Sequence, residues 1–132
     1  MKLSERAWHV WPLLTFAARH RQLLTYEILA QHTGMHAAGY GSILEHIQSY
    51  CLEQGLPPLT AIVVNKATGL PSEGFTAASN PPRAFAEVFE CDWTKVPCPT
   101  PEQLSAARER RPSNGVGAVA TSNVGETSGT VV

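Results

Sequence analysis

Residues 25–55 read TYEILAQHTGMHAAGYGSILEHIQSYCLEQG, and the folding of this stretch decides the architecture. Thr25 carries the hydroxyl that caps a helix N-terminus, and Gly34 tolerates the left-handed conformation that ends one. Residues 25–34 therefore predict a short helix of about two turns. After a turn at residues 35–39, Tyr40, Ile43, Leu44, Ile47, Tyr50 and Cys51 recur at helical spacing up to Gly55. Two helices across a glycine-containing turn form a helix-turn-helix pattern.

Upstream, Pro12 suits the first turn of a helix, where its missing N–H costs nothing, and Leu13, Leu14, Phe16, Ala17 and Ala18 supply apolar surface. Ser4 is the expected cap of a separate short helical segment carrying Trp8 and Trp11. Downstream, Leu56-Pro57-Pro58 stops the helical region. Residues 59–65 then predict a mostly buried strand, because Ile62, Val63 and Val64 are β-branched. Lys66-Ala67-Thr68-Gly69 has turn chemistry, and Pro71 keeps the return segment from being a regular inner strand, so a wing-like hairpin or loop is expected.

Asn80-Pro81-Pro82 reads as a break, after which Ala84, Phe85, Val88, Phe89 and Trp93 form a second apolar group. Thr100, Pro101 and Gln103 carry the signature of a helix start, opening a peripheral helix that ends in Arg108-Glu109-Arg110-Arg111. The predicted fold class is α+β and mainly helical, a winged helix-turn-helix with a short β-hairpin or wing loop. It divides into a winged-helix-like domain over residues 3–93, a Pro-rich linker and peripheral helix over 94–111, and a tail over 112–132. That tail is rich in Gly, Ser, Thr and Asn without an aromatic, so disorder is expected there.

Composition bounds the function. In 132 residues, ten basic side chains oppose eleven acidic ones, for a net charge of −1, which excludes a polycationic coat for nucleic acid. Three cysteines, Cys51, Cys91 and Cys98, form no close CxxC pair and hence no zinc knuckle or disulfide framework. Charges, His9 and Pro12 interrupt any apolar leader, and no stretch approaches the roughly 20 apolar residues of a membrane span. A cytoplasmic protein with reduced thiols and no membrane partner is expected.

The order of helix, short helix, glycine turn, longer helix, Pro-rich stop, β-branched strand and Gly-rich loop resembles the C-terminal winged-helix domain of alkylguanine DNA alkyltransferases and alkyltransferase-like proteins. The likeness covers about residues 24–75. It rests on Thr25-Tyr26, Gly41 followed by Leu44, Leu56-Pro57-Pro58, Val63-Val64, and Gly69 to Gly74-Phe75. In that family the tyrosine touches the DNA backbone, a helix arginine inserts into the duplex, and the cysteine of a Pro-Cys-His-Arg motif accepts the alkyl group. Tyr26 carries over. The inserted arginine falls near Ala38, and the acceptor motif falls on Leu59-Thr60-Ala61-Ile62, where there is no thiol. The resemblance thus implies a fold and DNA binding without alkyl transfer, a reaction that requires a thiolate.

A non-enzymatic module binding duplex DNA is the first functional expectation, with Tyr26, His36, Ala38, Tyr40, Ser42, Asn65, Lys66 and Thr68 as candidate contacts and Glu45 beside them on the second helix. Such a helix lies in the major groove with its first residues on base edges. The alternative is a protein-interaction module or small inhibitor on the same scaffold. It draws on the absence of Lys and Arg from residues 24–54, since DNA binders use several cations to displace phosphate counterions. The cations best placed to help lie outside the motif, at Arg19 and Arg21 before it, at Lys66 in the expected wing, and at Arg108, Arg110 and Arg111 late in the chain. His32 and His36 stand four apart, but Thr33-Gly34 between them breaks the helix that would aim both at one metal, so no metal or cofactor is expected. Cys51 could meet His46 or His20 in space, but it follows the apolar face of its helix and is read as core. Trp8, Trp11 and Phe16 are either core or a docking patch, and core is the expectation.

Overall fold

The structure, a computed structural model, describes residues 2–35, 39–71 and 80–110. The longest helix, α1 (Leu3–Arg19), is continuous through Pro12, where sequence reasoning expects a break and a restart. Pro12 is exposed, and the carbonyl left without a helical donor by its missing N–H belongs to Trp8 on the same outward side. Ser4, Ala7, Val10, Trp11, Leu14, Ala17 and Ala18 form the buried side. The helix ends on Arg21, whose φ is 55°. Its amide donates to Ala18 O at 3.1 Å and the amide of Gln22 to Ala17 O at 2.9 Å.

A two-residue strand, β1 (Leu24–Thr25), leads into α2 (Tyr26–Thr33). Thr25 caps α2 as the sequence predicts, its hydroxyl accepting from Ile28 N at 3.1 Å. Gly34 closes α2 with φ 72°, a conformation that a side chain would strain. Next, α3 (Tyr40–Gln54) runs to Gly55, whose φ of 68° ends it in the same way.

The predicted strand over residues 59–65 forms only in its second half. Leu59–Ile62 is a turn of 3₁₀-helix, with Ala61 N donating to Pro58 O at 2.9 Å, and β2 is Val63–Val64. Pro58 opens a turn that the apolar run then continues, and a short, wholly buried run carries no alternation to mark a strand. β2 pairs with β1 in parallel, Leu24 opposite Val63 and Thr25 opposite Val64. Among the described residues this pair is the sheet, so the chain is mainly helical with a small parallel element. Residues 65–70 close as a loop: Asn65 N donates to Leu70 O at 2.8 Å and Gly69 N to Asn65 O at 2.7 Å. Gly74, Phe75 and the expected return segment lie outside the described residues, as does the tail over 112–132.

Asn80-Pro81-Pro82 is a helix start. Asn80 Oδ1 accepts from Arg83 N at 3.2 Å, and α4 (Pro81–Glu90) begins on the prolines, whose missing amides fall where a helix needs none. Ala84, Val88 and, beyond the helix, Trp93 are buried. The last helix, α5 (Pro101–Arg110), opens with the predicted capping box: Thr100 N donates to Gln103 Oε1 at 2.9 Å, and Gln103 N to Thr100 Oγ1 at 3.1 Å. Its expected peripheral position is overturned. Leu104 and Ala107 are fully buried, and α5 packs along α3 and α1. The Leu104 side chain joins the same apolar cluster as Val10, Leu14, Ile43 and Ile47, so the core extends beyond residue 93.

Candidate functional site

Tyr40 and Tyr26, the two tyrosines expected at DNA, have different fates. Tyr40 stands at the first turn of α3 with no exposed surface. Its hydroxyl donates to the carbonyl of Leu29 at 3.0 Å and meets the hydroxyl of Thr33. A buried phenol needs partners for its O–H, and the end of α2 supplies them. Tyr40 is thus a joint between α2 and α3, and its role as a base contact is withdrawn. Tyr26, half-buried against the core, stands at the start of α2.

The parallel register brings part of the predicted set together. With Thr25 opposite Val64, Tyr26 and Asn65 leave the paired strands side by side, and Lys66 follows on the exposed loop. Asn65 and Thr68 use their side chains on the loop itself: Asn65 Oδ1 accepts from Ala67 N at 2.8 Å and Thr68 Oγ1 from Leu70 N at 3.2 Å. Ser42 is exposed on α3, and its carbonyl accepts from His46 Nδ1 at 2.8 Å. His36 and Ala38 lie outside the described residues.

The late cations reach α3 but pair with its acids. Arg108 reaches Glu45 at 3.3 Å, and Arg110 grips Glu53 with two nitrogens, one of them at 2.7 Å. Hydrogen bonding to that carboxylate holds the Arg110 guanidinium above its ordinary pKa. Two late cations are therefore spent on the acids of the helix expected to read DNA. Arg19 and Arg21 precede β1, at the end of the strand pair opposite Lys66. Ile43, His46 and Ile47 of α3 are buried, and the helix packs against α1, α5 and the 3₁₀ turn, while Gly41, Ser42 and Leu52 remain exposed.

Thiol chemistry is equally constrained. Cys51 is buried and desolvation pushes its thiol up to about 12, against which a hydrogen bond from the Leu59 backbone acts weakly. At neutral pH it stays protonated and unreactive. Desolvation also raises the half-buried Cys91 and the exposed Cys98. Among the described residues no cluster of three or more His, Cys, Asp or Glu is placed to hold a metal. No described helix is long and apolar enough to cross a membrane.

Of the three α1 aromatics expected in the core, one is there and two are not. Trp11 is buried, its ring edge-on to Tyr50 at 5.8 Å and to Trp93 at 6.1 Å. Trp8 and Phe16 point outward, 43% and 61% exposed. Both are braced. The Trp8 indole hydrogen-bonds the Cys98 thiol and packs against His9 at 5.1 Å, while Phe16 lies 4.3 Å from the His20 ring, itself held by Phe16 O at 2.8 Å from Nδ1. The usable signal was the period of residues 4–18. Read as one helix, it puts positions 4, 7, 11, 14 and 18 inward and 8, 12 and 16 outward.

Comparison with protein-family models, with curated proteins and with solved structures finds no match to this chain.

Proposed function

We propose that this chain is a non-enzymatic protein-interaction module that docks its partner on the outer face of α1. The observation that carries the reading is the pair Trp8 and Phe16, two large aromatic side chains exposed about two turns apart on the outward side of one helix. Rigid aromatic rings are the side chains on which interfaces concentrate their binding energy. The engagement of Glu45 and Glu53 by Arg108 and Arg110 supports the same choice, since it draws cations away from any phosphate contact on α3.

The test uses the full chain as bait in a nuclease-treated lysate of its source cell, beside the exposed-site double variant Trp8→Ser/Phe16→Ser. A partner held by the parent protein and lost by the variant, with unchanged circular dichroism, is the expected result. Equal recovery by both baits overturns the reading.

A second reading, duplex DNA, retains one specific support: the parallel register from whose adjacent ends Tyr26 and Asn65 leave, with Lys66 next on the exposed loop. Titration with duplex at falling salt tests it, because phosphate contacts strengthen as counterions thin out. Affinity that appears at low salt and drops uniformly across sequences in Lys66→Glu would favour DNA. No binding at low salt removes this reading.

A further inference from the structure

The outer stripe of α1 is arranged symmetrically about Pro12. At about 100° per residue, Glu5, Trp8, Phe16 and Arg19 all fall within about 40° of the line through Pro12. Trp8 and Phe16 lie about 6 Å to either side of it along the axis, and Glu5 and Arg19 about 10 Å. All five residues are exposed. In an antiparallel pair of these helices with the two-fold axis between them beside Pro12, Trp8 of one copy stands level with Phe16 of the other, and Glu5 with Arg19. Two-fold interfaces require this kind of self-complementary patch, in which residue i meets residue j and j meets i.

We infer that the partner on this face is a second copy of the chain, packed antiparallel through α1 so that Trp8 of each copy meets Phe16 of the other and Glu5 meets Arg19. The inference rests on the docking reading above and names its occupant. Within Leu3–Arg19 the exchange opposes no two like charges: Glu5 faces Arg19, Arg6 exchanges with the inward-facing Ala18, and His9 with Thr15. The Glu5 carboxylate, which accepts from Lys2 N at 2.9 Å through one oxygen, has a second oxygen to offer an incoming guanidinium. Pro12 leaves the carbonyl of Trp8 on this side without a helical donor, and covering it costs free energy that weakens the pairing. One helix pair buries less than the roughly 1,200 Å² of a stable interface, so the dimer is weak and forms at micromolar concentration or above.

Sedimentation velocity of the full chain, in reductant and from about 5 to about 500 µM, reads the association directly. The sedimentation coefficient should rise toward that of a dimer across this range. Phe16→Ser, a substitution at an exposed position that leaves the core untouched, should weaken association about tenfold or more. Arg19→Glu, which sets two carboxylates against each other, should do the same. Combining Arg19→Glu with Glu5→Arg should restore association to within about threefold of the parent protein, because the pair is re-formed with its signs exchanged. A monomer at every concentration, insensitivity to Phe16→Ser or Arg19→Glu, or failure of the double reversal to restore association overturns the proposal. If the chain is monomeric yet the lysate partner is still lost with Trp8 and Phe16, the second copy falls and the docking reading stands. If that capture is also unchanged, both fall.

Discussion

The hydroxyl of Tyr40, the first residue of α3, donates to the carbonyl oxygen of Leu29 in the middle of α2 at 3.0 Å, and this bond joins the two helices of the motif from within. Tyr40→Phe keeps the ring packing and deletes the bond, leaving the Thr33 hydroxyl without its tyrosine neighbour. We expect a loss of about 1 kcal/mol, read as a lower urea midpoint with unchanged slope. An unchanged midpoint would mean that the hydroxyl contributes nothing to the joint.

Leu104 tests whether α5 belongs to the folding unit. Its side chain is fully buried in the cluster that includes Val10 and Ile43. Leu104→Ala leaves a cavity there, with an expected cost of about 2–5 kcal/mol. A helix lying loosely on the surface would give under about 0.5 kcal/mol by chemical denaturation.

Cys51 makes a statement about alkaline pH. Burial raises the folded thiol to about 12 from its ordinary 9.0. Because the folded value lies above the unfolded one, the protonated thiol contributes fully below pH 9, and stability is lost as pH climbs from about 9 toward 12. Melting temperature against pH should fall in this window, and less steeply in Cys51→Ala. At pH 8 a disulfide reagent should modify the exposed Cys98 in the native protein and reach Cys51 only after denaturant is added.

Arg21 holds a φ of 55°, a left-handed conformation that favours glycine. Glycine there relieves about 1–2 kcal/mol of side-chain crowding and gives back part of it as unfolded-state entropy. Arg21→Gly should therefore raise stability by about 0.5–1 kcal/mol, seen as a melting temperature higher by a few degrees. A fall would show that the arginine side chain stabilises the turn by more than the strain costs.

What could be read from the chain alone was whatever neighbours within four residues decide. Thr25 caps α2 through Ile28 N, Gly34 and Gly55 end helices at positive φ, and Thr100 with Gln103 opens α5. Each is a local contact between residue types that do little else so well. Asn80 belongs with them: its cap and the following prolines spell a helix start where the sequence reading expects a break.

Three matters required the tertiary structure. Which tryptophan of α1 faces inward depends on the phase of the helix against α3 and Trp93, and a start placed at Pro12 lost that phase. The parallel pairing of Leu24–Thr25 with Val63–Val64 joins segments nearly forty residues apart in strands too short to show alternation. The enclosure of α3 under α5, which brings Arg108 to Glu45 and Arg110 to Glu53, links charges 63 and 57 residues apart that no periodicity connects. Local chemistry marks where elements begin and end, because the groups that cap them are sequence neighbours. Only packing decides which faces are left for a partner, because each face is buried or exposed by residues far along the chain.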